Sequence, residues 1–188
     1  MGTYVGFDPG GSGAFGRVVS GETCPFYLVD RGVAHHAQGA FKAAMDRVGT
    51  KIDAVGIDAP LFWNPAGDRR ADQMVRKAIM RLGCPGGTVN SVNSLHGACL
   101  IQGILVAMMC QQKAAKGIPI TEAHPKALLW LVGKATSKRP TADIAMSDLG
   151  EYVVGSRVQG ASDHERDAVL GAVTAFAMKS RLMGWQDI

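Results

Sequence analysis

Two short stretches fifty residues apart constrain this chain more than anything else in it: Val5-Gly6-Phe7-Asp8-Pro9-Gly10 and Val55-Gly56-Ile57-Asp58-Ala59-Pro60. Each is an apolar run that ends on an aspartate and is then broken by Pro or Gly. Runs of that kind read as buried strands. If the two strands are parallel neighbours, Asp8 and Asp58 meet at the carboxyl edge of the sheet, where ligand crevices of α/β folds open. Two carboxylates so placed repel and lose water, and a cation between them relieves both costs. Either aspartate alone suits the start of a turn equally well. The repetition favours the paired reading.

With 188 residues and 47% apolar composition, residues 1–188 are expected to form one domain with a substantial core. Only 19% of residues are charged, which argues against a disordered chain. A net charge of +4, from 20 basic and 16 acidic residues, permits a polyanionic partner without requiring one. Cys24, Cys84, Cys99 and Cys110 show no CxxC or zinc-finger spacing, so reduced thiols in a cytoplasmic protein are expected. The longest apolar stretch, Ala98 to Cys110, is interrupted by Gln102 and too short to span a bilayer. No basic leader precedes an apolar segment, so secretion is not expected.

In chain order, residues 3–8, 14–19 and 25–30 predict an antiparallel meander whose first turn is the Gly-rich Asp8-to-Gly13 segment. That turn leads into a strand and lacks GK[ST], so it reads as a hairpin rather than a phosphate loop. Phe41, Ala44, Met45 and Val48 give 37–48 helical spacing, and 54–58 follows as a fourth strand, parallel to the first by the right-handed crossover rule. Residues 67–82 hold the densest basic run, with Arg69, Asp72 and Arg76 on one helical face. This run suits either a solvated face with internal ion pairs or contact with a phosphate backbone. Residues 84–97 read as a loop and 98–113 as an apolar core helix in which Met108 and Met109 pack.

Residues 117–123 predict another strand, ending in Glu122-Ala123-His124-Pro125, the same sequence of apolar residues, acid and breaker. A short helix over 126–132, a polar linker over 133–140 and a helix over 141–154 follow, with Asp143, Asp148 and Glu151 solvated. The last helix opens on the capping box Ser162 to Glu165 and runs to about Leu182. Asp163 suits the helix dipole. Asp167 sits a turn further in, beside apolar side chains where an unpaired carboxylate is costly. Asp163 with Asp167, or His164 with Asp167, can share a face. HExxH and P-loop signatures are absent, and no hydrolytic Ser-His-Asp motif stands out.

Four acids thus accumulate on three strands and a terminal helix, an arrangement that resembles the ribonuclease H-like fold. The segments Gly56-Ile57-Asp58-Ala59-Pro60-Leu61, Arg69-Arg70-Ala71-Asp72 to Arg76, Glu122-Ala123-His124-Pro125 and Asp163-His164-Glu165-Arg166-Asp167-Ala168 resemble a family of predicted ribonuclease H-like nucleases long catalogued as a domain of unknown function. The likeness covers about residues 3–180. His164-x-x-Asp167-Ala168 and Gly6-Phe7-Asp8-Pro9-Gly10 are also similar to segments of RuvC-type resolvases, although the context of the second acid and the arginine-rich segment differ from theirs.

The resemblance implies an α/β fold: a mixed sheet with a three-stranded antiparallel meander, then parallel strands, and helices on both faces. It implies that Asp8, Asp58, Glu122 and Asp167 bind two Mg2+ or Mn2+ ions, with Asp163 or His164 as a supplementary ligand. Phosphodiester hydrolysis by two metals would follow. Arg69, Arg70 and Arg76 would steady phosphates, while Asp72 would orient an arginine. The expected partners are nucleic acid, DNA or RNA, and a second copy of the chain in a homodimer, but no membrane. Two rivals share the topology: an actin-like or sugar-kinase-type phosphotransferase, and a non-catalytic nucleic-acid-binding protein. The first normally needs two such domains around its nucleotide, more than this length provides.

Overall fold

The computed structural model describes residues 1–21, 25–49, 51–92, 97–113, 117–135, 153–156 and 159–181. The meander forms as the alternation predicts. Strand β1 (Gly2–Asp8) pairs antiparallel with β2 (Ala14–Ser20), and β2 with β3 (Phe26–Val33). Gly11 and Gly13 take positive φ in the β1–β2 turn, a conformation that side chains with a Cβ resist. Helix α1 (Ala37–Val48) then crosses to β4 (Ala54–Ile57), which lies parallel to β1 with Gly6 opposite Gly56 and Phe7 opposite Ile57. Strand β5 (Ile120–Glu122) pairs parallel with β4, and a two-residue strand β6 (Val153–Val154) pairs parallel with β3. The sheet order is β5-β4-β1-β2-β3-β6. This is the ribonuclease H-like arrangement.

Helices cover both faces. Tyr4 and Ala54 point into a core with Phe176, Val169 and Ala172 of α5 (Asp163–Ser180) and Leu129 of α4 (Pro125–Ala135). Val5, Phe7, Val55 and Ile57 point the other way, into a core with Phe41 of α1 and Val106 and Cys110 of α3 (Gly97–Lys113). Full burial of one such side chain is worth about 1.5–3 kcal/mol. Side chains alternate along a strand. Asp8 and Asp58 therefore fall on the face that carries Tyr4 and Ala54, beneath α5.

What lets α5 come so close is a row of glycines. A Cβ on Gly6 would stand 1.8 Å from the Ala168 carbonyl oxygen, and one on Gly56 would stand 2.0 Å from that of Gly171. A Cβ on Gly16 would stand 2.8 Å from the Val169 backbone nitrogen and Cα. With no side chains between them, helix backbone rests on strand backbone. The N-terminal turn of α5 is thereby brought over the strand ends.

Several boundaries differ from expectation. Strand β3 runs on to Val33, and β5 is the three residues Ile120–Glu122, with the Pro119 carbonyl before it still accepting from the Val55 amide at 2.9 Å. Helix α2 (Arg70–Met80) is shorter than the 67–82 segment, since Arg69 is its cap. Helix α4 starts at Pro125, which fits the first helical position, and extends to Ala135. The loop after α2 contains a 3-10 turn at Gly86–Thr88. Val153 and Val154, expected in a helix over 141–154, are strand because their backbone completes the open edge of β3.

Helix α3 is not wholly core: Ile101, Leu105 and Met108 form an exposed row, while Val106 and Cys110 are buried. Cys84, Cys99 and Cys110 are free thiols, as expected, and Cys24 lies outside the described residues. Also outside are residues 136–140 of the linker, 141–152 with Asp143, Asp148 and Glu151, 93–96 of the predicted loop, and Leu182. Among the described residues no helix is long and apolar enough to cross a membrane.

Candidate metal centre

Parallel pairing carries past the formal strand ends: the Asp58 amide donates to the Phe7 carbonyl at 2.8 Å and the Ala123 amide to the Ile57 carbonyl at 2.7 Å. This holds Asp8 and Asp58 side by side. Asp167, one turn into α5, comes down from above, and ligand oxygens of Asp8, Asp58 and Asp167 all lie within 4.8 Å of one another. The capping box that starts α5 is formed, with the Glu165 amide donating to Ser162 Oγ at 3.3 Å and the Ser162 amide to Glu165 Oε2 at 2.9 Å. An ion pair from Glu165 to Arg31 of β3 ties this helix start to the sheet.

The three acids differ in surroundings. Asp8 accepts from the Gly10 amide at 2.8 Å, and His164 Nδ1 lies 2.6 Å from its other oxygen. Asp167 accepts from Arg166 Nε at 2.9 Å, and the same guanidinium reaches Asp163 at 3.2 Å. Among the described residues, Asp58 has no such support. Burial, then the charges of Asp8 and Asp167, push its carboxyl well above the usual carboxylate range, with Lys126 and Arg166 opposing. Burial also raises Asp167, against the pull of Arg166. The centre is an acid-rich, partly desolvated edge whose carboxylate oxygens could hold a hard cation.

The other expected site residues fall elsewhere. Glu122 does not join the three aspartates. Its Oε2 accepts from Arg69 Nη1 at 2.6 Å and from the Leu61 amide at 2.8 Å, and its Oε1 from Arg69 Nη2 at 2.8 Å. Arg69 also donates Nε and Nη2 to Asp72 and Nη1 to the Phe62 carbonyl, and stacks on the Phe62 ring. All five guanidinium donors are engaged, and Arg69 is 2% exposed, so it is not placed to steady a phosphate. Asp72 orients an arginine, Arg69, as expected. Arg76 is held by Asp68 and the Val89 carbonyl rather than by Asp72. Arg70 is exposed at the start of α2. Asp163 is 88% exposed and paired with Arg166, whereas His164 reaches the centre through Asp8.

A second group, Asp72, Glu122 and His124, also brings three ligand atoms together. Arg69 already neutralises its two carboxylates, and burial lowers the His124 pKa, favouring neutral imidazole. This is a latch that joins β5, the loop after β4 and the start of α2. Sequence reasoning gave no role to Arg166 or Lys126. An arginine directly before a buried helix aspartate was the available signal for the first, while Lys126 had none beyond its place after an acid-ended strand.

A family model described as protein of unknown function (DUF429) matches residues 18–180, and the chain belongs to that family. No curated protein and no solved structure matches it.

Proposed function

We propose that this member of the DUF429 family is a divalent-metal-dependent nuclease that hydrolyses phosphodiester bonds at the Asp8–Asp58–Asp167 centre. The observation that carries the reading is the convergence of three carboxylates within 4.8 Å at the carboxyl edge of a ribonuclease H-like sheet. All three donors are hard oxygens, a set that fits Mg2+ or Mn2+ better than zinc. Such ions, two in the usual form of this chemistry, supply charge neutralisation at the phosphate and acidify a bound water.

The chain's own groups have separable tasks. Asp58 and Asp167 provide carboxylates from opposite sides, strand and helix, with Asp167 steadied by Arg166. Asp8 is oriented by the Gly10 amide and by His164, whose Nδ1 lies 2.6 Å from its other oxygen. Glu122 acts through Arg69 to fix the loop that follows Asp58, and becomes a ligand only if Arg69 releases it. The number of ions bound therefore reports on that latch. Nucleic acid, DNA or RNA, is the proposed partner.

The turn from Asp8 to Gly13 favours this reading over a phosphotransferase. Its Gly10 amide is given to Asp8, its Gly13 amide to the Gly10 carbonyl at 3.0 Å, and His164 Nε2 stands over Gly11. Two amides of the kind that cradle a nucleotide phosphate are thus already engaged.

The test is calorimetric titration with MnCl2 of wild type and Asp58→Asn, followed by cleavage assays on single-stranded, duplex and branched DNA and RNA. Manganese binding lost in the variant, with metal-dependent cleavage by wild type only, is the expected result. Metal binding without cleavage of any substrate refutes the enzyme and leaves a binding protein. ATP binding in place of metal binding would return the phosphotransferase.

A further inference from the structure

With Arg69 and Arg76 engaged internally, the nucleic acid must be gripped by other groups. A cleft of about 310 Å³ lies between α4 and the segment around the 3-10 turn, and one of its lining residues, Lys126, interacts electrostatically with Asp58 and Asp167. Lys126, Leu129 and Trp130 line one side, and Thr88 and Asn90 the other. Its volume is at the small end of ligand clefts, which run from about 300 Å³.

We infer that this cleft seats one unpaired nucleotide next to the scissile phosphate, Lys126 meeting the adjoining phosphate and Trp130 stacking on the base, so that the substrate is single-stranded at this point. Lys126 and Trp130 are four residues apart on α4 and share a helical face. Lys126 is exposed, while Trp130 is half-buried against Ile79, Val89 and Ala127, which hold the indole in place. A stacking platform needs that fixed geometry.

Location supports the same assignment. Helix α4 begins directly after β5, at the sheet edge that carries Asp8 and Asp58, so its N-terminal end and Lys126 add positive potential there. The Lys126 charge is felt by both Asp58 and Asp167. A base held in a duplex has both faces covered by its neighbours, whereas an unpaired base offers one to an indole. Asn90, exposed on the opposite wall, adds an amide able to pair with a base edge.

The inference rests on the nuclease reading, and its test is designed to fail separately. Fluorescence anisotropy would measure binding of a fluorescein-labelled oligothymidylate, its oligouridylate counterpart and a short duplex to the Asp58→Asn chain, which suppresses cleavage. Lys126→Ala and Trp130→Leu, each added to Asp58→Asn, are expected to weaken single-strand binding about tenfold. Lys126→Ala is also expected to lower the slope of log affinity against log salt by about one, a change that a merely structural role would not produce. Preference for the duplex, or single-strand binding unmoved by both substitutions, overturns the cleft assignment whether or not wild type cleaves. Should Trp130→Leu fail to fold, Lys126→Ala and Asn90→Ala, both at exposed positions, decide the matter. Absence of binding to any oligonucleotide also overturns it, and wild-type cleavage in manganese then judges the nuclease reading by itself.

Discussion

Replacing Asp58 with asparagine should make the metal-free protein more stable, although it removes a residue from the proposed active centre. At 4.8 Å and an effective dielectric constant near 20, two like charges repel by about 3.5 kcal/mol. Asp58 faces two such neighbours, so full ionisation of all three would be several kcal/mol uphill. Lys126, Arg166 and uptake of a proton offset part of this. The residual penalty that asparagine removes is about 2 kcal/mol, or roughly 4–8 °C in Tm for a chain of this size.

The sign with pH follows from linkage. The folded-state pKa of Asp58 is raised above its unfolded value, so the folded chain holds the proton more tightly. Its ionisation costs nothing below the unfolded value, about pH 4, and the cost grows as pH rises to the folded value. Thermal melts in chelator should therefore show a gain for Asp58→Asn at pH 7.5 that shrinks toward zero as pH falls to 4. Saturating manganese should reverse the order, since an ion at a hundred times its Kd adds about 2.7 kcal/mol to wild type alone. A variant less stable than wild type in chelator at pH 7.5, or a gain independent of pH, would refute the reasoning.

Two further perturbations address the frame around the centre. Arg69→Ala strands Asp72 and Glu122 as neighbouring carboxylates, one 1% and the other 17% exposed, and should cost about 3–5 kcal/mol in urea unfolding. Stability within 1 kcal/mol of wild type would mean that the latch holds nothing together. Gly56→Ala places a methyl 2.0 Å from a backbone carbonyl oxygen that cannot move alone, so α5 must lift. The expected loss is about 3 kcal/mol, accompanied by weaker manganese binding as Asp167 withdraws, and unchanged affinity in a calorimetric titration would count against the glycine row as the positioning device.

The sheet was legible because its strands declare themselves locally. Val5 to Asp8 and Val55 to Asp58 carry their own start, alternation and stop, and the pairing of Asp8 with Asp58 follows from one crossover. Asp167 was legible as an acid out of place among apolar neighbours. Glu122 was misleading for the reverse reason: it has the local form of the other strand-end acids, but its fate is set by Arg69, fifty-three residues away. Which of several arginines meets which acid depends on approach in space, and spacing along α2 could not reveal that Arg76 would turn to Asp68. Val153 and Val154 were missed because two residues give no period. Only the open edge of β3 makes them a strand.

The contact between His164 and Asp8 joins residues 156 positions apart in the chain. At roughly 5–20 residues per second, a ribosome needs about 8–30 s to pass from one to the other. Throughout that interval the emerging chain contains Asp8, and later Asp58, but not the helix that closes over them. Ion capture cannot guide the early steps of folding, because Asp167, the last of its three ligands, emerges 109 residues after Asp58. Premature release before residue 163 would yield a polypeptide with most of its sheet and no competent centre, its row of glycines open to solvent.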